Sequence, residues 1–192
     1  MTTAFVLGNG LSRRELNLSL LKSKGSVYGC NAIYREFEPD CLVATDRPIA
    51  QRIQETGYSA SHRFYTRRPI AGKGALAVPK KYYGNSSGPI AAAIAAIDGN
   101  SQIYLIGFDM GPTASNKFNN MYAGTEFYKA KDASPTFTGN WIRQVQQLCK
   151  DFENVQFIRI LGDVTAEIND LKSINNLAHM HMEDFIRGVI NV

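Results

Sequence analysis

Five short runs along the chain are almost continuously apolar, and each stops at a glycine or a small polar group. They are TAFVL (3–7), SVYGCN (26–31), CLVATD (41–46), IYLIGFD (103–109) and VQFIRIL (155–161). Unbroken hydrophobicity over five to seven residues describes a strand covered on both faces, because a half-exposed strand would alternate apolar with polar. Stretches with helical character separate the runs, and strands alternating with helices imply a parallel sheet with helices on either side. The expected fold class is therefore α/β: a single-domain Rossmann-like sandwich with a mainly parallel sheet, spanning residues 1–192 without a composition break. In such sheets ligands bind beyond the carboxyl ends of the strands, which directs attention to the turns after Leu7, Cys30, Thr45 and Ile106.

The intervening segments refine this picture. Ser12 and Glu15 have the spacing of a capping box, so a helix is expected to start there. Pro48 sits where the first turn of another helix would tolerate it. SSGPIAAAIAAIDG (86–99) is the clearest helix, with Ser87 as a candidate cap and Gly99 as its stop. RFYT (63–66) reads as a further strand, residues 67–83 as loop or hairpin, 140–152 as a helix, and the tail from 173 to 190 as helical. Residues 110–138 are polar and aromatic without periodicity, longer than an ordinary connection, and are read as a lid segment or as partly disordered.

With 44% hydrophobic residues in 192, the chain can bury a sizeable core. No stretch approaches the roughly 18 apolar residues of a membrane span, and the first residues lack the pattern of a signal peptide. Cys30, Cys41 and Cys149 are odd in number and widely spaced, which suggests neither a disulfide framework nor a zinc site and fits a cytoplasmic setting. The net charge of +4 suits an anionic ligand. Arg63, Arg67, Arg68, Lys73, Lys80 and Lys81 lie among Phe64, Tyr65, Tyr82 and Tyr83, but the mild overall charge and the lack of a nucleic-acid motif argue against nucleic acid. These cations fit a solvated loop, or contacts to a phosphate or an anionic acceptor. Homo-oligomerisation is left open.

The opening turn, Gly8-Asn9-Gly10, fails as a dinucleotide fingerprint. Arg13 stands where the third glycine belongs, and Cys30-Asn31 where an acidic residue would hold the ribose. What remains is a glycine turn beside a second one, Asn85-Ser86-Ser87-Gly88, whose helix amides and hydroxyls suit a phosphate. Asn31 adds a donor and an acceptor for a base or ribose. The HMH at 179–181, on the expected helix, has a spacing of two that separates the rings, so no metal site is expected.

GNGLS (8–12), CNAIY (30–34), NSSG (85–88) and IYLIGFD (103–109) resemble, in order and approximate spacing, motifs of the bacterial sialyltransferases of glycosyltransferase family forty-two. That family carries a GNGPS turn, a CN pair after the second strand, a TSG turn and an IYLxGxD strand. A wider superfamily of motility-accessory and pterin-pyrophosphokinase-like proteins has a similar glycine turn and keeps a magnesium-dependent pyrophosphokinase in view. The resemblance implies a nucleotide-sugar transferase, without a metal or separate cofactor, using a CMP-sugar donor and an acceptor. It implies that Gly8, Asn9, Gly10 and Ser12 approach the phosphate or ribose, Asn31 the nucleotide, and Ser86, Ser87 and Gly88 the cytidine and the carboxylate-bearing sugar. The family's tyrosine pair follows its GxD strand, whereas here Met110-Gly111-Pro112 follows and no tyrosine occurs until Tyr122. Its catalytic histidine precedes the helix placed here at 140–152, where this chain has Phe137. For the chemistry of inverting transfer, Tyr122 and Tyr128 are candidate hydroxyls for the leaving phosphate and Asp109 the candidate base, with Asp46 second. A nucleotide-binding module without chemistry is the alternative.

Overall fold

The computed structural model describes every residue from Met1 to Val192. Eight strands form one sheet: β1 (Thr3–Leu7), β2 (Ser26–Cys30), β3 (Cys41–Val43), β4 (Phe64–Thr66), β5 (Leu76–Ala77), β6 (Gln102–Ile106), β7 (Gln156–Leu161) and β8 (Leu177–His181). Their order is β5-β4-β3-β2-β1-β6-β7-β8, and every adjacent pair is parallel. Phe5 at the centre of β1 is in register with Val27 on one side and Tyr104 on the other.

Alternate residues of the central strands serve two cores, as the pleat requires. Ala4 and Val6 point to one face, where they meet the helices α3 (Ser87–Ile97) and α4 (Gly139–Asp151). Phe5 and Leu7 point to the other, packing with α1 (Arg47–Glu55) and with Phe185 of the C-terminal helical segment. The alanines of α3 let it lie close across β1, β2, β3 and β6, and nine of its eleven residues are buried. Covering both faces explains why these strands carry so few polar residues.

The strand order also places the site. The chain steps outward from β1 to β5, then returns through α3 to pair β6 on the opposite side of β1. At that reversal a crevice is left at the carboxyl ends of the strands.

Several local expectations are corrected. No α-helix begins at Ser12: Leu11–Arg13 is a single 3-10 turn, because the amide and hydroxyl of Ser12 are both held by Asp109 instead of forming a capping box with Glu15. Residues 67–83 contain no hairpin, since β5 pairs in parallel with β4 and leads into a 3-10 turn at Lys80–Tyr82. The tail is not one helix either. Leu177–His181 extends the sheet as an edge strand on β7, and α6 (Met182–Phe185) follows, continuing as a π turn over Ile186–Ile190. On a strand, a spacing of two puts His179 and His181 on the same face, opposite to the helical expectation. No cluster of three or more metal-capable side chains includes them.

Residues 110–138 contain no helix or strand, yet they are tied down. Met121 N donates to Asn9 O (2.7 Å) and Phe118 N to Ala133 O (2.9 Å), while Tyr122 and Ala123 are buried. The short helices α2 (Tyr58–Ser61) and α5 (Asn169–Lys172) are each about one turn long. No helix is long and apolar enough to cross a membrane.

Candidate functional site

A cavity of about 380 Å³ opens at the crevice, walled by the turns that follow β1, β2, β3, β4 and β6, by the start of α3, and by residues from 119–120 and 136–141. The four turns expected from the strand-end rule are all present in its wall, as are Gly8, Asn9, Gly10, Asn31, Ser86, Ser87, Gly88 and Asp109. Ser12 stands behind this wall, bonded to Asp109.

The glycines of the opening turn answer a steric demand. A Cβ on Gly8 would lie 2.6 Å from Gly107 O, and a Cβ on Gly107 would lie 2.6 Å from Gly8 O. A Cβ on Gly10 would lie 2.3 Å from Asp109 Oδ2, although the φ of Gly10, −65°, suits any residue. These glycines let the turns after β1 and β6 touch through bare backbone.

Around that contact the polar groups are saturated. Asp109 Oδ2 accepts from Ser12 N (3.0 Å) and Asn119 Nδ2 (3.1 Å), and Oδ1 from the hydroxyls of Ser12 and Thr165 (3.2 Å for the latter). Arg159, fully buried in β7, donates to the carbonyls of Phe108, Asp109 and Ala166, each at 3.0 Å. Burial pushes its pKa down to about 10, opposed by the charge of Asp109. Arg13, 2% exposed, donates to Gly8 O (2.7 Å), Asn9 Oδ1 (3.3 Å) and the Tyr122 hydroxyl (3.0 Å). Asn9 passes the connection on through Nδ2 to Cys30 O (3.1 Å), joining the turns after β1 and β2.

The start of α3 forms the facing wall. Ser86, not Ser87, occupies the cap position, and it makes no side-chain cap bond. Instead Ser86 Oγ accepts from Trp141 Nε1 (2.9 Å) and Ser86 N donates to Gln144 Oε1 (2.8 Å), pinning α4 across the mouth. Ser87 Oγ accepts from Thr45 N (3.1 Å), exchanges a 3.0 Å hydrogen bond with Thr45 Oγ1, and donates to Asn31 Oδ1 (3.1 Å). Asn31 reaches this position in a left-handed conformation, φ 56°, which asparagine tolerates better than most residues. The free first-turn amides of an eleven-residue helix therefore face the cavity beside a hydroxyl cluster fixed by three segments.

Tyr122 and Tyr128 do not line the cavity. The Tyr122 hydroxyl donates to Glu36 Oε1 (2.6 Å) and accepts from Arg13, and the Tyr128 hydroxyl accepts from Ala32 N (3.3 Å). Burial raises the pKa of both phenols. Cys30, in the wall, donates to Leu7 O (3.3 Å), and burial pushes its thiol up to about 12, so it is no thiolate nucleophile. Asp46 differs from Asp109: it is exposed in the cavity wall, and its carboxylate caps no amide of α1. Phe137, at the mouth, is 77% exposed.

Sequence reasoning pointed to the turn after Thr45 and to Arg67 among the loop cations, but missed Trp141 and Arg159 as parts of the assembly. Of those two, Arg159 carried a signal, a cation inside the apolar run VQFIRIL.

A crevice at the reversal of an all-parallel sheet, with a helix start and hydroxyls facing it, defines the class as an open Rossmann-like α/β fold. Among solved structures, the chain is similar to the sialyltransferase CstII from Campylobacter jejuni, determined in complex with the substrate analogue cytidine-5'-monophosphate. Identity is 17%, the match covers 93% of this chain and 85% of that one, and the TM-score is 0.50, a likeness of fold. No protein-family model and no curated protein matches the chain.

Proposed function

We propose that the chain is a sialyltransferase-like glycosyltransferase that binds the CMP part of a nucleotide sugar in the 380 Å³ cavity. The observation that carries this reading is the Ser87–Thr45–Asn31 cluster set against the free amides of α3, at the fold position where nucleotides bind. The donor phosphate lies at the start of α3, with Arg67 as the cation of the wall. No metal or separate cofactor is required by the proposed step; the CMP-sugar is a substrate.

The proposed catalytic group is Asp46 rather than Asp109. Both line the cavity, but the oxygens of Asp109 are occupied by four internal donors, whereas Asp46 presents a free carboxylate. The acceptor hydroxyl gives its proton to Asp46 as its oxygen bonds to the anomeric carbon. The bond from that carbon to the phosphate oxygen breaks, and its electron pair leaves with CMP, stabilised by Arg67 and the helix amides. Tyr122 and Tyr128 act as positioning residues, through Arg13 and the Ala32 amide.

The test is calorimetric titration with CMP, UMP, GMP and AMP, followed by donor turnover. CMP is expected to bind best, and Ser87→Ala to weaken it about tenfold by releasing Asn31 and the Thr45 amide from the positions the Ser87 hydroxyl holds beside the helix start. If no nucleotide binds, the reading fails. Asp46→Asn is expected to keep CMP binding and lower turnover by about 10²–10⁴; unchanged turnover removes Asp46 from the mechanism.

A second reading is favoured by two observations: the mouth position before α4 holds Phe137, and both tyrosine hydroxyls are engaged elsewhere. A nucleotide-binding module without transfer chemistry would bind CMP and consume no donor across a range of acceptors.

A further inference from the structure

A second, larger cavity, about 790 Å³, adjoins the first and shares Thr45, Asp46 and Arg67 with it. Its wall carries three arginines, Arg47, Arg67 and Arg68, against a single carboxylate, Asp46. None of the three enters an ion pair. Surface arginines without partners are common, but three features here make a built site.

The first is a fixed cation. Arg67 stands in the wall common to both cavities, held there by Nη2 donating to Asn85 O at 2.6 Å. The second is rigidity. Gln54, 1% exposed, donates from Nε2 to Arg68 O (3.3 Å) and accepts at Oε1 from Ile70 N (2.7 Å), so the segment bearing Arg67 and Arg68 is stapled to α1. The third is the field of α1 itself. Asp46 and Arg47 at its start and Ala50 in its next turn lie in the wall, so the positive end of a nine-residue helix opens onto the same space.

We propose that this second cavity binds the oxyanion group of an acidic sugar, a carboxylate or a phosphate monoester, and so selects the second substrate. The inference rests on the transferase reading, and it deepens it: the sugar body fills the cavity, its anion meets Arg47 and Arg68, and a hydroxyl reaches Asp46 at the junction with the nucleotide cavity. Planar, fixed guanidinium groups match such oxyanions through paired N–H donors.

The experiment titrates glucuronic acid, glucose 6-phosphate and glucose into the 192-residue protein, with and without saturating CMP. Both acids are expected to bind and neutral glucose to bind at least tenfold more weakly; the stronger acid identifies carboxylate or phosphate as the natural group. Arg68→Gln and Arg47→Gln should each weaken the acids about tenfold while leaving CMP affinity unchanged, and affinity should fall as salt rises. Binding of glucose equal to that of the acids, full competition between acid and CMP, or unchanged acid affinity in both variants overturns the proposal. If CMP fails to bind while the acids still depend on Arg68, the nucleotide reading falls and the anion site stands.

Discussion

The two sides of the crevice are built on opposite principles. Where the turns after β1 and β6 meet, every strong polar group has a partner: Asp109 accepts four hydrogen bonds, Arg159 clamps three carbonyls, and glycines bring the backbones into contact. Where the turns after β3 and β4 meet, Asp46, Arg47 and Arg68 stand unpaired and Arg67 holds a buried donor without an acceptor. The first side is closed on itself and acts as a frame. The second has its bonding capacity unspent, which is the physical condition for recognising something else. A titratable residue in a cleft is therefore better judged by what its oxygens already hold than by its position at a strand end.

The largest effect that would sharpen this contrast comes from Arg159→Met. It leaves the carbonyls of Phe108, Asp109 and Ala166 short of a donor in the interior, and the expected loss is roughly 3 kcal/mol or more, read from the midpoint of urea denaturation. A stability within experimental error of the parent would mean that the clamp does not hold the frame. Asp109→Asn comes next. Its amide would face donors that now meet a carboxylate, so a loss of about 2 kcal/mol is expected, with turnover reduced only as far as the folded geometry shifts. Full stability with abolished turnover would return Asp109 to the role of base and break the distinction drawn here. The smallest effect belongs to the other side: Arg68→Gln should change stability by no more than about 0.5 kcal/mol, because an exposed cation without a partner supports nothing in the fold.

Much of this molecule was legible in its sequence, for definite reasons. Strands covered on both faces announce themselves by unbroken hydrophobicity, so β1, β2, β3, β6 and β7 and their site-forming turns could be placed from TAFVL, SVYGCN, CLVATD, IYLIGFD and VQFIRIL, runs that overlap the strands without sharing all their ends. Edge elements were harder. β8 reads LAHMH, polar enough to pass for a helix face, and only its pairing with β7 fixes it as a strand. Ser12 matches a capping box as well as it matches a ligand of Asp109; a partner 97 positions away decides between them, and local spacing contains no trace of it. The same holds for Tyr122 and Tyr128, whose positions in the chain suggested the cavity while their hydroxyls are engaged by Glu36, Arg13 and the Ala32 amide. Arg67 and Arg68 looked like members of a solvated basic stretch until Gln54 was seen to hold their backbone against α1.

The strand order has a further consequence for how the chain is made. β1 lies between β2 and β6, but β6 begins only at Gln102, so a growing chain that has not reached that residue carries β1 as a bare apolar edge. Unpaired edges of this kind template association with other chains. During synthesis the sheet is therefore most vulnerable at what becomes its centre, and a fragment ending before Gln102 should self-associate where the 192-residue chain, its middle strand sealed on both sides, no longer offers β1 as an edge.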